Sequence, residues 1–258
     1  MPENTASDPL RYEAIRLARD GAVATITLHR PQALNAITVT MLQELSDALR
    51  RIAADEQVAV VILTGEGRAF SAGVDLKELG KSRPEEGTVG GGLNGAAREV
   101  IRRIGDLPAV VMAKINGHCF TGALELALAC DIIVTADEAS FGDTHAKWGL
   151  RPTWGMSQRL PAIVGIARAR ELSYSARVFK GTDAAAWGLA SVSCPLAELD
   201  ATVAALAEAV AANSRGSLLA YKDLYRAAER MALPEGLAYE AATEYPITDT
   251  GARVRGFK

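Results

Sequence analysis

Two stretches near the start of the chain alternate between hydrophobic and polar residues, as half-buried strands do. They are Tyr12–Arg19 and Val23–His29, and the Asp20-Gly21 pair between them is typical of a tight hairpin turn. After a loop at Arg30–Ala36, hydrophobic residues recur every three or four positions over residues 38–54. This spacing predicts an amphipathic helix after the hairpin.

Three later runs are hydrophobic throughout and rich in β-branched residues, which is typical of parallel strands covered on both faces. They are Ala59–Gly65, Ala109–Gly117 and Asp131–Asp137. Helical patterns at Gly95–Ile104 and Gly122–Ala129 lie between them. Strands that alternate with helices in this way predict a parallel sheet with crossover helices.

Beyond Gly155 the strand pattern fades and helical patterns dominate. The predicted helices are Ala167–Ser175, Thr182–Leu189, Leu196–Ala212, Ser217–Met231 and Leu237–Thr243. We therefore expect an α/β core over residues 1–195 and a helical region over residues 196–258. The glycine-rich stretch Gly87–Gly95 predicts a mobile surface loop, or a lid beside a pocket. It matches neither of the glycine patterns that bind phosphate.

Composition excludes several function classes. The chain of 258 residues has 28 Lys and Arg against 31 Asp and Glu, so it has no basic excess for a nucleic acid. Its three cysteines and three histidines show no zinc-ligand spacing, and we expect no metal site and reduced thiols. We expect no secretory signal, because the first ten residues lack a basic start and a hydrophobic stretch, and no run approaches the ~20 hydrophobic residues of a membrane span. We expect a cytoplasmic protein without a membrane partner.

Two corners between a strand and a helix carry candidate chemistry. The segment Gly65–Leu79 clusters small residues at the first corner, and Asp75 stands near the new helix. The segment Ile115–Ile132 has Gly122 at the second helix start. Each corner can be a tight turn with a helix cap, or a place where backbone N–H groups bind an anion. Two such corners side by side could form an oxyanion hole.

Glu125 is the strongest candidate for acid–base chemistry. It lies in an otherwise hydrophobic helical segment and should be largely buried. Burial raises the pKa of a carboxyl group toward the range that is useful for proton transfer at neutral pH. The alternative is a glutamate that is paired with a donor in the core.

Three segments resemble the enoyl-CoA hydratase/isomerase family, the crotonase superfamily. They are LHRPQALNAI (residues 28–37), GRAFSAGVDLKEL (67–79) and INGHCFTGALELALACD (115–131), and the resemblance extends from about Tyr12 to Phe257. It implies an α/β, crotonase-like (ClpP/crotonase) fold: a spiral of ββα units with a helical C-terminal trimerisation region. It also implies a homotrimer, or a hexamer that is a dimer of trimers.

The resemblance implies roles for individual residues. The two oxyanion N–H groups of the family correspond to Val74 and Gly122, and Glu125 corresponds to the first of two catalytic glutamates. The residues that correspond to the CoA channel are Gln32, Ala33, Leu34, Ala72, Asp75 and Leu76. CoA enters as part of the thioester substrate, and no metal or redox cofactor is implied.

The chain departs from the family at the second catalytic glutamate, which hydratases carry in an FGxPE pattern. Here the sequence is FGDTHAKWG, and His145 occupies that position. Histidine has an ordinary pKa of about 6.5 and can take or give a proton near neutral pH, so we predict that His145 is the second acid–base residue. A structural loop histidine is the alternative, and Asp143 and His118 are lesser candidates. Relatives also extend past the position of Lys258, so we expect CoA affinity or subunit contacts to differ.

We therefore expect an enoyl-CoA hydratase-like enzyme, a hydro-lyase that adds water to a 2-enoyl-CoA thioester, or removes it, through an enolate. An isomerase and an acyl-CoA hydrolase or decarboxylase of the same fold are alternatives. A non-catalytic acyl-CoA binder is an alternative from another class. Glu125 argues against the binder, because binding alone gains nothing from a buried carboxylate.

Overall fold

The computed structural model describes residues 12–81 and 87–256, which contain ten strands, eleven α-helices and three short 3₁₀-helices. The strands are β1 (Ile15–Asp20), β2 (Val23–Leu28), β3 (Val60–Gly65), β4 (Ala69–Ser71), β5 (Val110–Ile115), β6 (His118–Phe120), β7 (Ile132–Ala136), β8 (Ser140–Gly142), β9 (Phe179–Lys180) and β10 (Val192–Cys194). The helices are α1 (Val39–Ala53), α2 (Leu76–Lys81), α3 (Gly91–Asp106), α4 (Gly122–Ala127), α5 (Met156–Val164), α6 (Ile166–Ser175), α7 (Gly181–Ala186), α8 (Leu199–Ala211), α9 (Arg215–Ala228), α10 (Leu233–Ala242) and α11 (Thr250–Gly256).

The larger sheet has the strand order β1-β2-β3-β5-β7-β10. β1 and β2 form an antiparallel hairpin, and every further pair in this sheet is parallel. All six residues of β3 are buried, because helices and the second sheet cover both of its faces. The predicted hairpin and the three predicted hydrophobic strands are confirmed.

A second, smaller sheet has the strand order β4-β6-β8-β9. The first three of these strands run parallel, and β9 is antiparallel to β8. β4 and β6 each follow a strand of the larger sheet after a sharp corner and lead into a helix, which produces the repeated ββα units. Glycine is required at two corners: a Cβ atom on Gly65 or Gly117 would lie 2.1 Å from the carbonyl oxygen of Ala69 or Arg68.

Helices cover the sheets and complete one core. α1 buries the predicted hydrophobic stripe of Met41, Leu45, Leu49 and Ile52, and its N-terminal cap is Thr38, whose hydroxyl accepts from the amide of Met41. Beyond β10 the described chain is helical. The first of these helices, α8, contributes three side chains to the same core, namely Leu199, Val203 and Ala207. The division at residues 195 and 196 stays a prediction.

The structure differs from the sequence prediction in three helices and, in the C-terminal part, in two strands. α11 has no counterpart among the predicted helices, and β9 and β10 lie in the part where only helices were predicted. α3 begins at Gly91, so half of the stretch Gly87–Gly95 is helical rather than a loop. Leu93 and Asn94 are buried there, and this packing outweighs the low helix propensity of the glycines. α5 forms where no periodicity predicted a helix and contains Pro161. None of the described helices combines the length and hydrophobicity that crossing a membrane requires.

Candidate active site

The two predicted corners lie beside each other in the structure. β4 and β6 are parallel neighbours, so the residues that follow them leave the small sheet at the same edge. Gly73 has φ +92°, and a Cβ atom on it would lie 2.8 Å from the carbonyl oxygen of Phe120. Only glycine allows this approach, which brings the first corner against the second at Thr121.

The backbone amides of Val74 and Gly122, the two predicted oxyanion donors, are left out of the hydrogen bonds that the described residues form at the two corners. Ile37 donates to the carbonyl of Gly73 and accepts from the amide of Asp75, so the N–H of Val74 between them points to the opposite side. Gly122 is the first residue of α4, where an amide has no partner within the helix. Within the described part of the chain, neither amide donates to a protein acceptor.

The ring of Trp154 packs directly on Gly122. A Cβ atom at Gly122 would lie 2.5 Å from Cζ3 of the indole. Trp154 is buried, and its Nε1 donates to Oδ1 of Asn94 at 2.8 Å. The same Asn94 oxygen accepts from the hydroxyl of Thr153 at 2.7 Å. The Trp154 ring is held in place and leaves no room for a side chain at residue 122, so glycine is required there.

Glu125 lies in α4 and is 1% exposed. Its Oε1 accepts from the backbone amides of Trp154 at 2.9 Å and Met156 at 3.0 Å. Burial raises the pKa of Glu125, and these two hydrogen bonds and His145 oppose part of that rise. Oε1 is thus committed to the backbone, whereas Oε2 faces His145. Sequence reasoning missed both donors, because backbone amides 29 and 31 residues away leave no side-chain signal.

His145 reaches Glu125 from the segment that follows β8. Its Nε2 lies 3.6 Å from Oε2 of Glu125, and its Nδ1 lies 2.6 Å from Oδ1 of Asp143. All three side chains are buried. Burial alone would raise the pKa of Asp143, but hydrogen bonds from His145 and Ser173 hold it below the ordinary value. The structure therefore brings Glu125, His145 and Asp143 into one buried chain of titratable groups.

His118, the other lesser candidate, is placed differently. It lies in β6, and its ring stacks on Phe120 with 5.5 Å between the centroids. No hydrogen bond or ion pair among the described residues joins it to Glu125 or His145. Its contacts are those of a side chain that packs beside the second corner.

The six residues predicted for CoA binding lie on two segments that are hydrogen-bonded to each other. The amide of Ala72 donates to the carbonyl of Leu34 at 2.9 Å, and Oδ2 of Asp75 pairs with Nη1 of Arg30 at 3.0 Å. Oδ1 of Asp75 accepts from the amide of Lys77 at the start of α2, so this carboxylate also has the role of a helix cap. Burial would raise the pKa of Asp75, but these hydrogen bonds hold it below its ordinary value. The remaining members are exposed or half-buried: Gln32, Ala33 and Leu76.

Two threonines that the sequence did not single out join the second corner to the His145 segment. Thr121 has φ +54° and ψ −111°, a conformation that a β-branched residue rarely adopts. Its hydroxyl lies 2.5 Å from the hydroxyl of Thr144, and its amide donates to the carbonyl of Gly142. Only the tertiary structure shows this link, because 23 residues separate the two hydroxyls.

An α/β spiral with a buried acid–base cluster beside two converging backbone corners defines an enzyme that transfers protons. The model of the family "Enoyl-CoA hydratase/isomerase" matches residues 18–257. This chain belongs to the enoyl-CoA hydratase/isomerase family, as its motifs predicted.

Similar proteins cover most of the chain. A probable peroxisomal enoyl-CoA hydratase of Arabidopsis thaliana is 34% identical over 85% of this chain and 81% of its own length. A carnitinyl-CoA dehydratase of Escherichia coli O157:H7 is 35% identical over 88% of this chain and 85% of its own. The crystal structure of an enoyl-CoA hydratase from Bacillus anthracis is 32% identical, with a TM-score of 0.84 over 89% of this chain and 88% of the other. The crotonase-like fold is thus confirmed.

Proposed function

We propose that this protein hydrates a 2-enoyl-CoA thioester, or dehydrates the corresponding 3-hydroxyacyl-CoA, without a metal or redox cofactor. The observation that carries the proposal is the position of Glu125. Its carboxylate is buried, faces His145, and lies in the helix that begins at the second corner. Relatives named as hydratases and a dehydratase support the same reaction class.

The thioester carbonyl binds between the amides of Val74 and Gly122 in the proposed cycle. Negative charge develops on that oxygen when water adds to the β-carbon, and two backbone donors together with the N-terminal end of α4 stabilise it. The CoA part lies along the segments that contain Leu34 and Ala72. CoA is thus part of the substrate rather than a resident cofactor.

Glu125 takes a proton from water as the water oxygen bonds to the β-carbon. The electron pair of the double bond moves toward the thioester and forms the enolate. His145, or a water molecule, then gives a proton to the α-carbon, and the carbonyl re-forms. One O–H bond of water and the C=C π bond are broken, and one C–O and one C–H bond are formed. With His145 as the donor, Glu125 is then protonated and His145 neutral, and the proton returns from Oε2 of Glu125 to Nε2 of His145, 3.6 Å away, before the next turnover.

Three substrates separate this function from the alternatives. With crotonyl-CoA, a hydratase removes the absorbance of the conjugated thioester. An isomerase instead creates that absorbance from a 3-enoyl-CoA, and a hydrolase releases a free CoA thiol from a saturated acyl-CoA. Binding of all three without any turnover would indicate an acyl-CoA binder and would contradict the proposal.

The substitution Glu125→Gln tests the role of the carboxylate. The amide keeps the shape and the acceptor for Trp154, but it takes no proton, so we expect turnover to fall by about 10²–10⁴-fold. Binding of the acyl-CoA should remain nearly unchanged. The matched control is Glu171→Gln, which alters a surface carboxylate paired with Arg177. Retention of more than about half of the natural rate by Glu125→Gln would make Glu125 a structural residue.

We also propose that the protein assembles as a homotrimer or as a dimer of trimers. The helices α9, α10 and α11 leave large hydrophobic side chains uncovered, which is typical of surfaces that bind another chain. The most exposed are Tyr221, Tyr225, Leu233, Leu237 and Val254. A cytoplasmic location stays a prediction, since the relatives include one named peroxisomal and one named mitochondrial.

A further inference from the structure

Behind His145 lies a second carboxylate that the proposed cycle does not use. Oδ1 of Asp143 is 2.6 Å from Nδ1 of His145 and also accepts from the His145 backbone amide at 3.3 Å. Oδ2 accepts from the hydroxyl of Ser173 on α6 at 2.6 Å. Both oxygens of Asp143 are therefore engaged, and one of them lies against the imidazole.

The contact with Asp143 determines which nitrogen of the imidazole carries the proton. An ionised carboxylate only accepts hydrogen bonds, so at 2.6 Å the Nδ1 of His145 must be the donor. In the neutral ring the lone pair then lies on Nε2, which is the nitrogen that faces Oε2 of Glu125. The opposite tautomer would place the Nδ1 lone pair 2.6 Å from the carboxylate of Asp143, whereas the favoured tautomer places the Nε2 lone pair 3.6 Å from Glu125, so the closer carboxylate decides.

We infer that Asp143 is a positioning residue that fixes the tautomer and the orientation of His145, and that Ser173 holds Asp143 in place. The inference rests on the proposed hydration. In the dehydration direction, Nε2 of His145 takes the α-proton and the ring becomes an imidazolium. In the hydration direction, the same nitrogen returns that proton. Nδ1–H stays on Asp143 in both directions, and the carboxylate stabilises the charged ring.

The substitution Asp143→Asn tests this arrangement, because the amide keeps the shape and an oxygen that accepts from Nδ1, but it is neutral and no longer stabilises the charged ring. We expect kcat to fall by about 10²-fold or more and KM to change by less than about threefold. The control is Asp223→Asn, which alters another carboxylate that accepts from two hydroxyls, those of Tyr239 and Tyr245. Its kcat should remain unchanged. An unchanged kcat in folded Asp143→Asn would overturn the inference.

A measurement independent of turnover keeps the two proposals apart. The chain has three histidines, so long-range ¹H–¹⁵N correlation spectra resolve each ring, and His145→Gln identifies the signals of His145. At a pH where the ring is neutral, we expect the Nδ1–H tautomer in the natural protein and a weaker preference for it in Asp143→Asn, because a neutral amide oxygen is a weaker acceptor than a carboxylate. An Nε2–H tautomer in the natural protein would refute the inference. If the natural protein shows the Nδ1–H tautomer but hydrates no enoyl-CoA, the proposed hydration is wrong and the role of Asp143 stands.

A second variant applies if Asp143→Asn does not fold. Ser173 is only partly buried, and Ser173→Ala removes one hydrogen bond from Asp143 without touching His145. We expect a smaller loss of kcat than for Asp143→Asn, an unchanged KM, and a weakened preference for the Nδ1–H tautomer. A natural kcat together with an unchanged tautomer in Ser173→Ala would overturn the role assigned to Ser173.

Discussion

A single methyl group at Gly122 should disturb both stability and turnover. In Gly122→Ala the new Cβ would lie 2.5 Å from Cζ3, 3.1 Å from Cε3 and 3.2 Å from Cη2 of the Trp154 ring. Carbon atoms normally approach to about 3.5–4.0 Å, so the ring must recede by about 1 Å. The indole is buried and donates a hydrogen bond to Asn94, so the ring cannot move away without disturbing that bond and the surrounding packing. Such overpacking costs about 1–3 kcal/mol of unfolding free energy.

The displacement also reaches the catalytic carboxylate, because the Trp154 amide donates to Oε1 of Glu125. A shift of about 1 Å in an active-site group lowers turnover by about 10²-fold. We therefore expect Gly122→Ala to lower kcat to this extent and to lower Tm by about 2–10 °C. Crotonyl-CoA hydration and thermal unfolding followed by circular dichroism measure the two effects.

Gly95→Ala is the matched control, since a Cβ atom there meets nothing within 4 Å. In the interior of α3 it should leave kcat unchanged and stabilise the helix by about 1 kcal/mol. Adding Trp154→Phe to Gly122→Ala makes room for the methyl group, so the double variant should lose less stability than the sum of the two single changes. If Gly122→Ala has the same Tm and kcat as the natural protein, the steric argument is wrong.

Two further predictions concern pH and assembly. Burial raises the pKa of Glu125, so the stability that its protonated form contributes is present below the unfolded-state pKa of about 4.3 and is lost as pH rises through the folded pKa. Glu125→Gln should therefore gain unfolding free energy relative to the natural protein as pH rises from about 4.3 through the folded pKa, measured by urea titration; a constant difference would contradict this. Light scattering at micromolar concentration should give three or six times the chain mass of 27.2 kDa, and a mass near that of one chain would refute assembly.

Five of the six strands of the larger sheet were predictable because their signals are local; the sixth, β10, has only three residues and was not predicted. A buried parallel strand such as β3 is hydrophobic throughout, and α1 shows its buried stripe in the spacing of Met41, Leu45 and Leu49. The small sheet was not predictable from patterning, since strands of two or three residues are too short to repeat the two-residue alternation that marks a strand. The first turn of α3 was not predicted, because the glycines there become helical only through the tertiary packing of Leu93.

The residues of the candidate active site were predictable from the sequence, whereas most of their contacts were not. A carboxylate among hydrophobic residues indicated Glu125 from its neighbours in sequence, and the motif indicated His145 by its position. The tertiary structure alone decided which groups meet: Asp143 with His145, Ser173 with Asp143, and the Trp154 amide with Glu125. Sequence determines which side chains are available and which must be buried. Their partners depend on the parallel pairing of short strands and on backbone amides, and neither leaves a residue pattern along the chain.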